Sequence, residues 1–250
     1  GYGFVIDDFS ILPEYYNIYA SQGSPIEITP LCSQFTVITS LNFQNQYTES
    51  YALVTNYYLS NDTILDDTDT MIGFNQSITN GTVLDINKTF TTPPNLLPGQ
   101  YYILYQHDFT NQLNENDEND NVGFCSVVVK PILSVPYSND FEIEDANWKT
   151  KTDATTTLEI WQRGSGTRHH IEKAHSGISA WHTSNTIIPH PDNTFQYLES
   201  PSFNLSSIAQ PLVLSFWYKA KYNSAPNFFV QYSLNCSNTW VNLYTISENS

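Results

Sequence analysis

Between Asp108 and Asn121 the sequence DFTNQLNENDENDN places five carboxylates, Asp108, Glu115, Asp117, Glu118 and Asp120, within fourteen residues that contain no Lys or Arg. Hard oxygen donors at such short intervals suit Ca²⁺, which takes about six to eight oxygens at relaxed geometry. Asp108, Asn114, Asp117, Glu118 and Asp120 are the side chains that would supply them. The EF-hand spacing with its central Gly is missing, and a solvated, charged hairpin tip that keeps a sheet edge from pairing with neighbours explains the same residues. The residues alone leave both readings open. A second acidic run, NDTILDDTD over 61–69, reads as a turn built from Asn, Asp and Thr.

Other residue types that could do chemistry lack the settings chemistry needs. His169, His170, His175, His182 and His190 show no HExxH-type spacing on a helix, so loop histidines account for them better than zinc. The stretch GSGTRHH is not framed by a strand and a helix, as a phosphate or dinucleotide loop requires. Serines are plentiful, yet no Gly-x-Ser-x-Gly elbow singles one out as a nucleophile. Paired carboxylates for glycoside hydrolysis are decided by separation in space, which a sequence does not contain. Catalysis is therefore not the expectation.

The elements that must carry these residues are strands. Among 250 residues the polar fraction is dominated by Asn, Ser and Thr, which disfavour helix interiors and suit turns between strands. The length exceeds the usual domain size of about 100–150 residues, so two domains are expected. The net charge of −16 supports the division: residues 1–129 hold fifteen acids against Lys88, and residues 130–250 hold ten acids against eight bases. All five tryptophans lie in the second half. So acidic a first half repels nucleic acid and anionic lipid, which excludes nucleic-acid binding. No apolar run approaches the roughly 20 residues of a membrane helix. The chain begins at Gly1 without Met and without a signal peptide, as expected of a mature or trimmed piece of something longer. Sequons at Asn61, Asn75, Asn80, Asn87, Asn204 and Asn235 follow from the composition and matter only in a eukaryotic secretory setting. Cys32, Cys125 and Cys236 have no zinc-type spacing; Cys32 could pair with Cys125 inside the first domain, or all three could be small buried thiols.

Along the chain, Phe4–Tyr19 predicts an edge strand, Phe35–Leu41 a second strand and Ser50–Ser60 a third. The Asn/Asp/Thr run after them is expected to be a turn closed by Gly73. Apolar residues then alternate over Ser77–Phe90, and Pro98-Gly99 marks another turn. In YYILYQ, Tyr101, Ile103 and Tyr105 share one face of a strand and Tyr102, Leu104 and Gln106 the other, with Phe124–Val129 returning beside it. About seven strands and no 3.6-residue period predict a β-sandwich.

The order YYLSNDTILDDTDTMIG, then LPGQYYILYQHDFTNQLNENDENDN, then a closing apolar strand resembles the CARDB family of cell-adhesion-related, Ig-like domains in bacterial surface and secreted proteins. The longer stretch around Cys32 departs from that pattern. After a linker, PILSVPYS over 131–138, the second half resembles the MAM-like jelly-roll modules of secreted bacterial proteins. The residues that carry this are Asp140-Phe141-Glu142 with Trp148, His175-Ser176-Gly177 with Ala180-Trp181, Leu198 to Pro201, and Gln231-Tyr232-Ser233 followed by Thr239-Trp240.

These resemblances imply an all-β chain: an Ig-like sandwich over 1–130, the linker, and a jelly roll over 139–250 that ends before its last strands. The jelly-roll resemblance implies a structural calcium site from Asp140 and Glu142, the alternative being that Glu142 accepts hydrogen bonds from turn amides. The Asp-Thr-apolar triplets at Asp62 and Asp69 resemble the O-glycosylation signal of Bacteroidetes secreted proteins, with Thr63 and Thr70 as acceptors. The expected function is a non-catalytic adhesive or stalk segment of a secreted or cell-surface protein, of the gliding or biofilm type exported by type IX secretion. Its partners would be other modules of the same long chain and a surface glycan or protein. The alternatives are the accessory region of a large secreted peptidase or glycosidase, and a carbohydrate-binding module.

Overall fold

The computed structural model describes residues 17–30, 32, 34–44, 50–79, 83–152, 161–165, 173–183, 195–209, 211–219, 228–234 and 239–246. Every regular element among them is a strand. The chain divides into two compact units, Gly1–Ile28 with Ser33–Val129, and Thr29–Cys32 with Lys130–Ser250.

Unit 1 contains β1 (Ile18–Ala20), β2 (Ile26–Ile28), β3 (Gln34–Phe43), β4 (Tyr51–Ser60), β5 (Thr70–Thr79), β6 (Leu84–Thr91), β7 (Gly99–Gln106) and β8 (Val122–Val129). They form two sheets, in the orders β1-β3-β6 and β2-β8-β7-β4-β5. The first strand segment adds to one sheet and the second to the other, where β2 runs parallel to β8; every other neighbouring pair is antiparallel. Two antiparallel sheets exchanging strands in this order are an Ig-type sandwich. Antibody domains fill its centre with a Trp against a disulfide between the sheets. Here Tyr57 of β4, fully buried, takes that central place, with Phe90 at 5.1 Å and Tyr105 at 6.3 Å between ring centroids.

The sequence pattern explains the layers. In β3, Phe35, Val37, Thr39 and Leu41 are buried while Thr36 and Ile38 are exposed, so one face meets the core and the other water. In β8 the buried face is Gly123, Cys125, Val127 and Val129. Ile18, Leu41, Leu53, Ile86 and Leu113 form a buried core cluster, with Phe43, Tyr51 and Leu84 packed against it. The expected Asn/Asp/Thr turn is observed over 61–69, but it ends before β5 and is not closed by Gly73. Gly73 lies inside β5, opposite Tyr57, and a Cβ there would stand 3.3 Å from the ring of Phe90. The glycine serves a close approach between sheets, and the alternation read across Ser77–Phe90 belongs to two strands, β5 and β6. The edge strand expected from Phe4 lies largely outside the described residues.

The Cys32–Cys125 pair is not formed. Cys32 carries a disulfide and Cys125 a free, buried thiol. Cys125 pairs with Ile103 in mid-ladder and donates its thiol to Ser24 O at 2.8 Å, and burial pushes its pKa up to about 11. Cys236 lies outside the described residues.

Unit 2 contains β9 (Ile132–Leu133), β10 (Lys149–Thr152), β11 (Gln162–Ser165), β12 (Ser179–His182), β13 (Gln196–Glu199), β14 (Ser202–Phe203), β15 (Phe228–Tyr232) and β16 (Val241–Ile246). They pair as β9-β14 in parallel and as β10-β13, β11-β12 and β15-β16 antiparallel. Ile132 and Leu133, which read as linker in the sequence, are thus paired with Ser202 and Phe203.

Candidate functional site

The acidic bend joins β7 to β8 at one end of unit 1. At its entry Asp108 adopts a left-handed backbone with φ of 44°, which reverses the chain, and its two oxygens receive the amides of Gln112 (2.9 Å) and Leu113 (2.8 Å). This carboxylate is 4% exposed. Burial raises its pKa; the two amides act in the opposite direction. At the exit His107 N bonds Asn121 O at 2.9 Å and closes the hairpin. The His107 ring is buried, held by Thr55 Oγ1 at 2.9 Å from Nδ1, and burial lowers its pKa to about 4.

The middle of the bend reaches back to the start of the described chain. Glu115 Oε2 accepts the Ile18 amide at 2.7 Å, and Oε1 accepts Asn121 Nδ2 at 3.0 Å. Asp120 Oδ2 accepts Asn17 Nδ2 at 2.9 Å, and Asn17 Oδ1 accepts the Asp117 amide at 3.1 Å. Asp117 also caps its own turn by accepting the amide and side chain of Asn119, which holds its pKa below the usual range. Glu118 accepts the Glu115 amide at 3.2 Å. Burial, with the charges of Glu118 and Asp108 adding to it, pushes Glu115 up to about 7. From there the two segments run side by side in parallel. Ala20 N bonds Asp120 O at 2.9 Å, Gly23 N bonds Phe124 O at 2.8 Å, Cys125 donates to Ser24 O, and the β2–β8 ladder continues the pairing. The Tyr105 hydroxyl donates to Ser21 O within the same seam.

Of the side chains expected to bind calcium in this bend, Asp108, Asp117, Glu118 and Asp120 accept hydrogen bonds from the protein, and Asn114 is exposed. Among the described residues no three His, Cys, Asp or Glu side chains converge as an ion site. In this structure these carboxylates act as caps for backbone amides of the bend and for the Asn17 side chain. Two buried oxygens, Asp120 Oδ1 and Asn121 Oδ1, lack a protein partner. Glu115, which the sequence shows as one of the five carboxylates but not as an expected ligand, belongs to this network together with Asn17 and Asn121. Glu115 lies 97 positions from its partner Ile18, a separation at which no local sequence signal exists.

In unit 2, Glu142 Oε1 accepts the amides of Ile178 (2.9 Å) and Ser179 (2.8 Å), and Asp140 accepts the Glu142 amide at 3.1 Å. Gly177, with φ of 60°, passes so close that a Cβ would strike the Glu142 carboxylate. Glu142 thus fills the turn-amide role. Arg163 Nη1 donates to Phe141 O at 3.0 Å. Asp145 gathers Tyr137 Oη, Asn139 and Asn147, while Trp148 Nε1 donates to Tyr137 Oη at 2.9 Å. Of the histidines, His175 stacks on Trp217 with centroids 4.0 Å apart, His182 is buried, and His169, His170 and His190 lie outside the described residues. Thr63 and Thr70 are both exposed, beside aspartates that cap local turns: Asp62 takes the Ile64 amide and Asp69 takes the Asp66 amide.

Fold and site together define an all-β chain whose first unit is an Ig-type sandwich, with no helix among the described residues long and apolar enough to cross a membrane. No protein-family model and no curated protein matches the sequence. Solved structures similar to part of it include the CARDB domain of a Pyrococcus furiosus protein in solution, at 14% identity and a TM-score of 0.34 over 47% of this chain and 97% of that one. The crystal structure of the same domain in complex with di-metal ions gives 17%, 0.33, 48% and 97%. A β-glucosidase from Listeria innocua in complex with isofagomine gives 14% and 0.30 over 46% of this chain and 16% of the enzyme. Scores this low carry no argument of their own; the strand order and register define the fold.

Proposed function

We propose that the chain is a non-catalytic adhesive or stalk segment of a secreted or cell-surface bacterial protein, working in series with further modules. One observation carries this reading, the parallel seam that binds the first described residues of unit 1 to its last strand. Ile26–Ile28 pair with Val127–Val129 in parallel, and hydrogen bonds continue the seam back to Asn17. Tension applied at the two ends of unit 1 pulls the partners of a parallel pair in opposite directions along their length. Every hydrogen bond of the seam is then sheared at once, where an antiparallel hairpin pulled at its open end unzips one bond at a time. Two carboxylates of the bend, Glu115 and Asp120, are engaged in this seam, and Asp108, Asp117 and Glu118 cap the bend itself, as expected of a spacer that bears tension.

Single-molecule pulling tests it. Unit 1 pulled through residues at its two ends is expected to resist far more than when pulled through handles at Tyr51 and Thr79, the open end of the β4–β5 pair. Equal forces in the two geometries would sink the stalk reading. Turnover of generic peptidase or glycosidase substrates by the purified chain would sink the non-catalytic one.

A further inference from the structure

Strand β5 ends the five-stranded sheet of unit 1, and among the described residues no strand pairs with its outer edge. Every second residue of such an edge directs its N–H and C=O outward, a template for another strand. The other three edges of the sandwich are guarded. Strands β1 and β2 have three residues each, β2 with Glu27 at its middle, and β6 carries Asp85 and Lys88. Strand β5 has ten residues, TMIGFNQSIT, without a charge or a proline. Its ladder is irregular only opposite Tyr57 and Tyr58, and Gly73–Thr79 keep unbroken register with Tyr51–Tyr57. A long, regular, uncharged edge is a feature that proteins avoid where nothing binds it.

We propose that β5 is a docking edge that takes an extended, cationic segment of a partner protein as an added antiparallel strand. The two faces of β5 define what that strand meets. Inward, Gly73 and Asn75 are half-buried and form one wall of a groove of about 530 Å³, whose other wall includes Lys88, Phe90 and Thr91 of β6. The groove has room for the side chains on one face of an added strand, and the Lys88 ammonium can donate to its carbonyls. Outward, Phe74 is 59% and Ile78 75% exposed, so apolar side chains on the partner's other face gain cross-strand neighbours. Charge selects the sign of the partner. The turn leading into β5 exposes Asp62, Asp66 and Asp67, and residues 1–129 hold fifteen acids against Lys88. An antiparallel strand brings its C-terminal end to Thr70, so Lys or Arg that follow its apolar segment meet these carboxylates. A second copy of this chain is a poorer occupant, because it brings two surfaces of like charge together. Strand β5 shares no residue with the seam, so a docking edge goes beyond the adhesive reading, and either experiment can fail without the other.

Fluorescence anisotropy of labelled peptides titrated with the intact chain tests the edge. The probe is an alternating Val-Thr segment of about eight residues, within the usual strand length, followed by Lys-Lys-Lys. One control ends in Glu-Glu-Glu, and the other keeps the lysines but carries proline at alternate positions. The basic strand former should bind saturably, at least about tenfold tighter than either control, and more weakly as NaCl rises. Asp67→Asn spares the turn, whose hydrogen bonds go to Asp62, Asp66 and Asp69, and should weaken binding by about twofold. Gln76→Pro and Ser77→Pro separate the edge from the ladder, since consecutive residues direct their N–H groups alternately outward and towards β4. The one that keeps the parent's melting temperature should lose binding by about tenfold or more. Ile78→Lys, at a side chain already exposed, is the second route if both proline variants unfold, and should weaken binding in the same direction. No saturable binding, equal binding of the proline-bearing peptide, or a dimer of the parent chain in sedimentation that Ile78→Lys abolishes would each overturn the proposal.

Discussion

Glu115 is the residue in which the chemistry of the acidic bend concentrates. Its carboxylate is partly buried beside Asp108 and Glu118, and burial, the largest cause, moves its pKa from 4.5 to about 7 in the folded chain. A group that binds its proton more tightly when folded stabilises the fold at low pH and loses that contribution as pH rises through the folded value. Stability from Glu115 is thus fully present below about pH 4.5 and is lost by about pH 7. Thermal melts from pH 4.5 to 8 should show unit 1 losing stability on the alkaline side, and Glu115→Gln should flatten that dependence. A Glu115→Gln profile parallel to the parent would show that the neighbouring carboxylates, not Glu115, carry it. Gly177 is the corresponding sensitive position of unit 2. Its left-handed backbone and the adjacent Glu142 carboxylate leave no room for a side chain. Gly177→Ala should destabilise unit 2 by about 2 kcal/mol, from backbone strain and from loosening the two amide bonds to Glu142.

At the scale of elements, the seam between residues 17–28 and the bend with β8 decides how unit 1 is closed. Asn17 is its first stitch, giving a donor to Asp120 and an acceptor to the Asp117 amide. Asn17→Ala removes both, and the local cost should be about 1–2 kcal/mol. Hydrogen exchange is the direct measurement: the amides of Ile18 and Ala20 should exchange faster, while those of the central β4 and β7 stay as slow as before. Uniform acceleration across unit 1 would mean that Asn17 supports the whole sandwich and not its seam alone. The hairpin of β7 and β8 is legible in sequence because period-two alternation is a local signal, present in Tyr101–Gln106 and Phe124–Val129 on their own. The seam is not legible, since it joins positions about a hundred residues apart whose polar side chains read locally as turn formers. Gly73 misleads for a related reason. A glycine between Asp-rich and apolar text signals a turn, and only the Phe90 ring opposite explains it as a contact. The cysteines are likewise opaque, because pairing depends on the three-dimensional separation of their Cα atoms and not on their spacing.

For the whole molecule the uneven charge matters more than any single cluster. Fifteen acids against one base in residues 1–129 repel one another, and the bend packs five of those carboxylates into one end of the sandwich. Such repulsion is long-ranged at low salt, with a Debye length of about 30 Å at 0.01 M, and is screened to about 8 Å at 0.15 M. Unit 1 should therefore gain several degrees in melting temperature across that range through screening alone. Calcium offers a separate route to stabilisation, by binding only the folded form, and its signature is saturation at a defined concentration. The carboxylates of the bend and of Glu142 already hold protein donors, so at constant ionic strength neither added calcium nor EDTA should move either transition. Melting curves in NaCl and in CaCl₂ matched for ionic strength separate the two. A saturable rise with calcium, reversed by EDTA, would mean that Asp120 Oδ1 and Asn121 Oδ1, the two oxygens left without partners, complete an ion site when the bend rearranges around it.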